Sequence, residues 1–274
     1  MRPFTIETFF IDGDPSGVRS AEIRTKPVLA YYIPRKSIKK ACSDNNQLSW
    51  NGVYTLFNGN DSDVKQEVYI GEAENVGNRL NQHNCEKESW WNVAIVFVIN
   101  NEAHQLSKAD IKYLENLMYS KAKKYNNMKL KNANTPHQSF VTKPREYDLK
   151  EIFENIDLLL RSLGYPLFYD ISKVKVDNYV YLNGRDANGK GIYTNEGLLV
   201  KKGSRLSPKD PIPSFDFSKV KRLQEAGIIT NDVFIKDYMF NSPSAASDIL
   251  CKGSSNGWTS WHDKNDKTLD EIYR

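Results

Sequence analysis

Two helical segments place charged groups where apolar ones belong. In residues 72–83, a period of 100° per residue puts Val76, Arg79, Leu80 and His83 on one face, so a guanidinium and an imidazole project beside the side that packs on a sheet. In residues 107–125 the apolar arc is Ile111, Leu114, Met118, Ala122 and Tyr125, and Glu115 lies within it. An unpaired carboxylate there costs several kcal/mol or is forced to protonate, so it needs a cation. Arg79, in an inert salt bridge, or a metal ion would serve. An arginine and a histidine so placed are either satisfied structural groups or parts of a site at the sheet's edge.

The elements that hold these groups are legible in outline. The runs FTIETFFIDGD and VLAYYIP read as strands separated by the turn GDPSG. Residues 52–57 and 67–71 form a hairpin whose enlarged tip is NGNDSDVKQ, and Val93 to Ile99 is a continuous apolar run suited to a buried strand. Ser107 and Asp110 are spaced as a capping box at the head of the second helix. A further helix is expected from about Asp148 to Leu163, ended by Gly164, as a connecting element. A boundary is expected over residues 170–177. The last hundred residues begin with short strands punctuated by glycine and end in a segment holding Trp258 and Trp261. The expected class is α+β, a small antiparallel β-sheet flanked by helices, with an N-terminal β extension and a second, smaller β-rich C-terminal domain. The expected divisions are 1–50 for the extension, 51–143 for the core domain, 144–174 for connecting helix and linker, and 175–274 for an accessory domain.

Composition narrows the classes further. With 39% hydrophobic and 12% aromatic residues, the chain has enough apolar side chains to fold, which argues against a disordered protein. Its longest apolar run is far short of a bilayer span, and the N-terminus has no basic region followed by an apolar one, so neither a membrane partner nor export is expected. Three scattered cysteines suggest neither a disulfide framework nor a thiolate zinc site, and a cytoplasmic location fits. The net charge of +4 is confined to the first half: residues 1–143 carry 19 Lys and Arg against 15 Asp and Glu, whereas residues 144–274 balance at 19 against 19. Basic clusters at Arg24–Lys40 and Lys108–Lys143 favour a phosphate-bearing partner.

The hairpin then narrows the chemistry. Gly52-Val53-Tyr54 on one strand is followed by Tyr69-Ile70-Gly71 on the next, then Arg79-Leu80-Asn81-Gln82-His83, then Glu115, then the loop KLKNANTP. In order and spacing, this set resembles the GIY-YIG endonuclease family over roughly residues 51–137. Val53 replaces the isoleucine of the family's name, and the interval between the tyrosines is longer than the family's compact hairpin. The family's asparagine aligns with Asn132 or Asn134.

The resemblance implies a metal-dependent endonuclease that hydrolyses a phosphodiester, with DNA favoured over RNA. Glu115 would hold one Mg²⁺ or Mn²⁺, a hard cation suited to an oxygen ligand. Arg79 would contact the scissile phosphate, and Tyr54 would act as general base toward the attacking water. Tyr69 would position the water or Tyr54, and His83 would assist proton transfer or phosphate contact. Lys121, Lys124 and Asn132 are the candidate substrate contacts. The segments GRDANGKGIYTNEGLLVKKGS and SPSAASDILCKGSSNGWTSW look like a small domain of unassigned function that accompanies some GIY-YIG nucleases and some DNA-modifying enzymes. There Trp258 and Trp261 would stack on bases, with Lys201, Lys202 and Arg205 on phosphates, or the tryptophans would fill a small core. The competing expectations are a catalytically inactive binding or protein-interaction module on the same fold, and a structure-specific RNase.

Overall fold

The computed structural model describes residues 3–58, 66–86, 90–170 and 179–274. The chain is mixed α and β and divides into two compact units, the first reaching Tyr169 and the second spanning Asp170–Arg274. Most of the hairpin tip, residues 59–65, lies outside the described residues, as does all but Asp170 of the expected boundary at 170–177.

Among the described residues, the first unit is built on seven strands: β1 (Glu7–Phe10), β2 (Arg19–Glu22), β3 (Val28–Pro34), β4 (Gly52–Phe57), β5 (Glu67–Ala73), β6 (Val93–Ile99) and β7 (Lys129–Leu130). Their order is β1-β2-β3-β6-β4-β5-β7, with every pairing antiparallel except β5 with β7. The expected N-terminal β extension is continuous with this sheet, β1, β2 and β3 adding three strands beside β6. β3 pairs with β6 through all seven of its residues, and β6, buried along its whole length, needs a full-length neighbour on each side.

Alternation along the strands sends side chains to two cores. Val53 and Phe57 of β4 and Val68 and Ile70 of β5 face α3 (Lys108–Tyr125) and α4 (Lys143–Ser162). Tyr54 and Leu56 of β4, with Tyr69 of β5 packed at the margin, face α1 (Ile38–Asp44) and α2 (Val76–Cys85). Leu149, Ile156, Leu159 and Leu160 of α4 belong to the same core as the sheet, so α4 is part of this unit rather than a connector between domains. It begins at Lys143, five residues before the expected start, with Pro144 in its first turn, where a missing N–H costs nothing. Gly164, at φ +90°, follows its end. The expected capping box at the head of α3 is present: Ser107 Oγ accepts from the Asp110 N–H, and the Asp110 carboxylate accepts from the Ser107 N–H.

The second unit contains β8 (Tyr179–Leu182), β9 (Gly189–Thr194), β10 (Gly197–Val200), β11 (Ile229–Thr230), β12 (Val233–Phe234) and β13 (Tyr238–Phe240). A four-stranded antiparallel sheet in the order β13-β10-β9-β8 is joined by the small β11-β12 pair. Four helices accompany them: α5 (Ser218–Glu225), α6 (Pro243–Cys251), α7 (Gly257–Ser260) and α8 (Leu269–Tyr273). Among the described residues, no helix is long and apolar enough to cross a membrane.

Candidate active site

β5 is where the chemistry gathers, because its edge is only partly covered. β7 pairs with it at Glu67 and Val68. One rung further along, Asn132 takes over as a side-chain imitation of a strand: its Oδ1 accepts from the Ile70 N–H at 3.1 Å and its Nδ2 donates to the Ile70 carbonyl at 2.7 Å. Beyond Ile70, the alternation of β5 sends Gly71 toward α2 and Glu72 toward α3. Groups from both faces of the sheet thus meet at one margin.

On the α2 face, Tyr54 is the centre. It has no solvent exposure, and its cross-strand partner is Gly71. A Cβ at Gly71 would lie 2.5 Å from both the Tyr54 hydroxyl oxygen and its Cζ, so only glycine leaves room for the ring. The YIG glycine is the slot in which the GVY tyrosine lies. The Tyr54 hydroxyl is 2.9 Å from His83 Nε2, and His83 Nδ1 is 3.1 Å from Glu86 Oε1. The Tyr69 ring closes the group, with centroids 6.2 Å from Tyr54 and 5.3 Å from His83.

Helix α2 begins at Val76, later than the expected Glu72. Glu72 and Ala73 still pair with Val53 and Gly52 in the ladder, and Asn75 supplies the cap by accepting from the Asn78 N–H. From that start Val76, Leu80 and His83 are buried and Arg79 is half-buried. Arg79 donates to Gln82 Oε1 at 3.0 Å. Burial works against its charge, but interactions with the oxygens of Tyr54 and Tyr69 more than offset this and raise its pKa. Burial has the opposite consequence for its neighbours. It pushes the Tyr54 phenol well above its ordinary value, with Tyr69 adding to the rise, and holds His83 below the usual imidazole range despite Glu86.

On the α3 face, Glu115 is half-buried, and burial followed by the charge of Glu72 pushes its pKa up to about 7. The salt bridge with Arg79 that would have made Glu115 inert is not formed: among the described residues no cation lies within ion-pair distance of its carboxylate. Lys112 and Arg79 act on it only from further away. Glu72 is likewise raised by burial and influenced by Lys112, Lys108 and Arg79. Arg79 therefore links the two faces, with phenols on one side and carboxylates on the other.

Three expected substrate contacts are not placed with this group. Lys124 is exposed, lies over the Tyr125 ring, and is roughly 13 Å along α3 and about half a turn round from Glu115. Lys121 is about a third of a turn away on the other side. Asn132 spends its amide on Ile70 and is a structural brace, and Asn134 is exposed. The cations on the Glu115 face are instead Lys108, bonded to Glu74 at 2.7 Å, and Lys112. Helical phase could have found them, since Lys108 and Lys112 lie about 20° and 60° from Glu115 round the axis. Glu72 was missed because the segment reads as the acidic start of a helix. Glu86, lying beyond the apolar stripe of α2, carried no signal of its own.

Among the described residues, no group of three or more His, Cys, Asp and Glu converges as a metal site. A hard cation that keeps most of its water needs fewer protein ligands, and two acids without a close cation, one of them difficult to ionise, suit it.

In the second unit the tryptophans divide. Trp261 is fully buried, and its indole N–H donates to the Pro243 carbonyl at 3.2 Å, so it is core and does not meet bases. Trp258 is half-buried between Tyr193 and Arg274. Lys201 is bonded to Asp237. Residues 180–273 match the family model described as Domain of unknown function (DUF4357). No curated protein and no solved structure matches the chain.

Proposed function

We propose that the first unit is a GIY-YIG-type endonuclease that hydrolyses phosphodiester bonds of nucleic acid, DNA in preference to RNA, with Mg²⁺ or Mn²⁺. The observation that carries this reading is the meeting of Tyr54, Tyr69, His83, Arg79, Glu72 and Glu115 at one sheet margin, around a guanidinium that, among the described residues, has no carboxylate within ion-pair distance. An arginine kept charged while facing phenols is a fixed donor for a phosphate oxygen. Glu115, with Glu72 facing it, would hold the cation. When bound, it would supply positive charge to offset the negative charge that develops on the phosphate.

The chain's own groups handle the proton. A phenol held above its ordinary pKa does not serve as a free phenolate at neutral pH, so Tyr54 as general base needs a partner that takes its own proton. The 2.9 Å contact with His83 supplies the remedy. As the water oxygen bonds to phosphorus and the bond to the leaving 3′ oxygen breaks, the water proton passes to the Tyr54 oxygen while the Tyr54 proton passes to His83 Nε2; one water O–H bond is exchanged for one Nε2–H bond, and the leaving 3′ oxygen takes its proton from solvent. Tyr69 packs beside both rings and would help position the water or Tyr54.

The test incubates the full chain with supercoiled plasmid and a matched RNA in Mg²⁺ or Mn²⁺. Cleavage is expected to stop with chelator and to fall about 10²- to 10³-fold in Arg79→Ala and in Glu115→Ala, with folding intact by circular dichroism. Undiminished cleavage by Glu115→Ala would remove the metal assignment. A duplex shift of equal strength with and without chelator, and no nicking, would favour a binding module.

A further inference from the structure

We infer that Glu86 is a positioning residue for this site: its carboxylate fixes His83 in the Nδ1-protonated tautomer, so that Nε2 presents its lone pair to the Tyr54 hydroxyl. The inference rests on the proposed nuclease reading for its consequence, but not for its geometry. Glu86 is tied to His83 twice. Its backbone N–H donates to the His83 carbonyl at 3.3 Å as α2 ends, and its Oε1 accepts from His83 Nδ1 at 3.1 Å. A carboxylate is acceptor-only, so the ring nitrogen facing it must carry the hydrogen. The other nitrogen, 2.9 Å from a fully buried hydroxyl, is then left to accept.

The position is also a poor one for an acid on other grounds. Carboxylates at helix C-termini meet the negative end of the peptide dipoles, which disfavours them there. Glu86 is half exposed, so its negative charge is hydrated and can reside there, and the bond to His83 is what it gains. The groups facing the imidazole and its helix are Tyr54 from β4, Tyr69 from β5, Arg79 from α2, and Arg35 and Cys42, which bond to Asn84 and Gly77 respectively. Beside these groups, Glu86 places its carboxylate on Nδ1. Without it the ring is free to carry its hydrogen on Nε2 and point that hydrogen at Tyr54, which closes the route for the phenol proton.

The experiment records ¹⁵N chemical shifts of His83 at pH 8 in the full, metal-free chain, for wild type, Glu86→Ala and Glu86→Gln. A protonated Nδ1 and an unprotonated Nε2 are expected in wild type. Loss of that preference is expected in Glu86→Ala, and its retention in Glu86→Gln, whose amide oxygen still accepts. In plasmid cleavage, kcat should fall about tenfold in Glu86→Ala with KM unchanged and recover in Glu86→Gln. The acid limb of the rate profile should move to lower pH in both variants, because the charge that favours imidazolium is gone. A protonated Nε2 in wild type, or an unchanged tautomer in Glu86→Ala, overturns the inference. Absence of any cleavage by wild type overturns the nuclease reading alone, since the shifts still decide the tautomer.

Discussion

Glu115 shows how burial sets the chemistry of one side chain. Its pKa of about 7 lies above the unfolded value near 4.5, so between those limits the folded chain binds more protons than the unfolded one. Stability from this group is full below about pH 4.5 and is lost as pH rises through 7. Glu115→Gln removes the loss, and the variant is expected to be more stable than wild type by about 1–3 kcal/mol at pH 8, with little difference at pH 4. Urea denaturation at the two pH values reads this directly. Mn²⁺ should raise the melting temperature of wild type at pH 8 and leave the variant unchanged. Equal stability at both pH values would mean that the carboxylate is already neutralised. His83 runs the other way: its lowered pKa makes the folded chain the poorer proton binder just below pH 6.5, so its contribution rises with pH through that window.

At the scale of elements, β5 and its brace decide whether the rings converge. Tyr69 and Gly71 flank Ile70, and the backbone of Ile70 is held by the two amide bonds of Asn132. Asn132→Leu leaves both groups without these partners. The expected cost is about 1–3 kcal/mol, together with faster hydrogen exchange at the Ile70 amide and a drop in turnover greater than any change in KM. Unchanged Ile70 protection would show that β5 is held in place by its pairing with β4 alone. The helices illustrate why local signals go only part of the way. Ser107 and Asp110 mark the start of α3 because the cap is made within four residues. The start of α2 could not be read from the acids at 72 and 74, because Glu72 is held in the sheet by pairing with Val53, a partner 19 residues away in sequence.

At the scale of the molecule, each unit has its own core. In the second, Trp261 packs at the centre, and a Cβ at Gly257 would lie 2.2 Å from the Pro243 carbonyl carbon, so α6 and α7 approach as closely as backbones allow. Trp261→Ala is expected to cost about 3–5 kcal/mol and to abolish hydrogen-exchange protection at the β9 amides Gly189–Thr194. Normal protection there would place the tryptophan outside the core. In the first unit, the sequence by itself determined which residue types share a helix face or a strand, because 3.6- and 2-residue periods are local. Arg79, His83 and Glu115 stand out on that basis, and Tyr54 and Tyr69 only through the order of the motifs that carry the resemblance. Only the tertiary structure decided that Arg79 faces phenols instead of pairing with Glu115, that Asn132 is spent on Ile70, that Lys124 points away, and that Glu72 and Glu86 lie beside Glu115 and His83. Those outcomes depend on where β5 stops being covered and on what burial does to each charge, and neither quantity exists until distant segments have packed together.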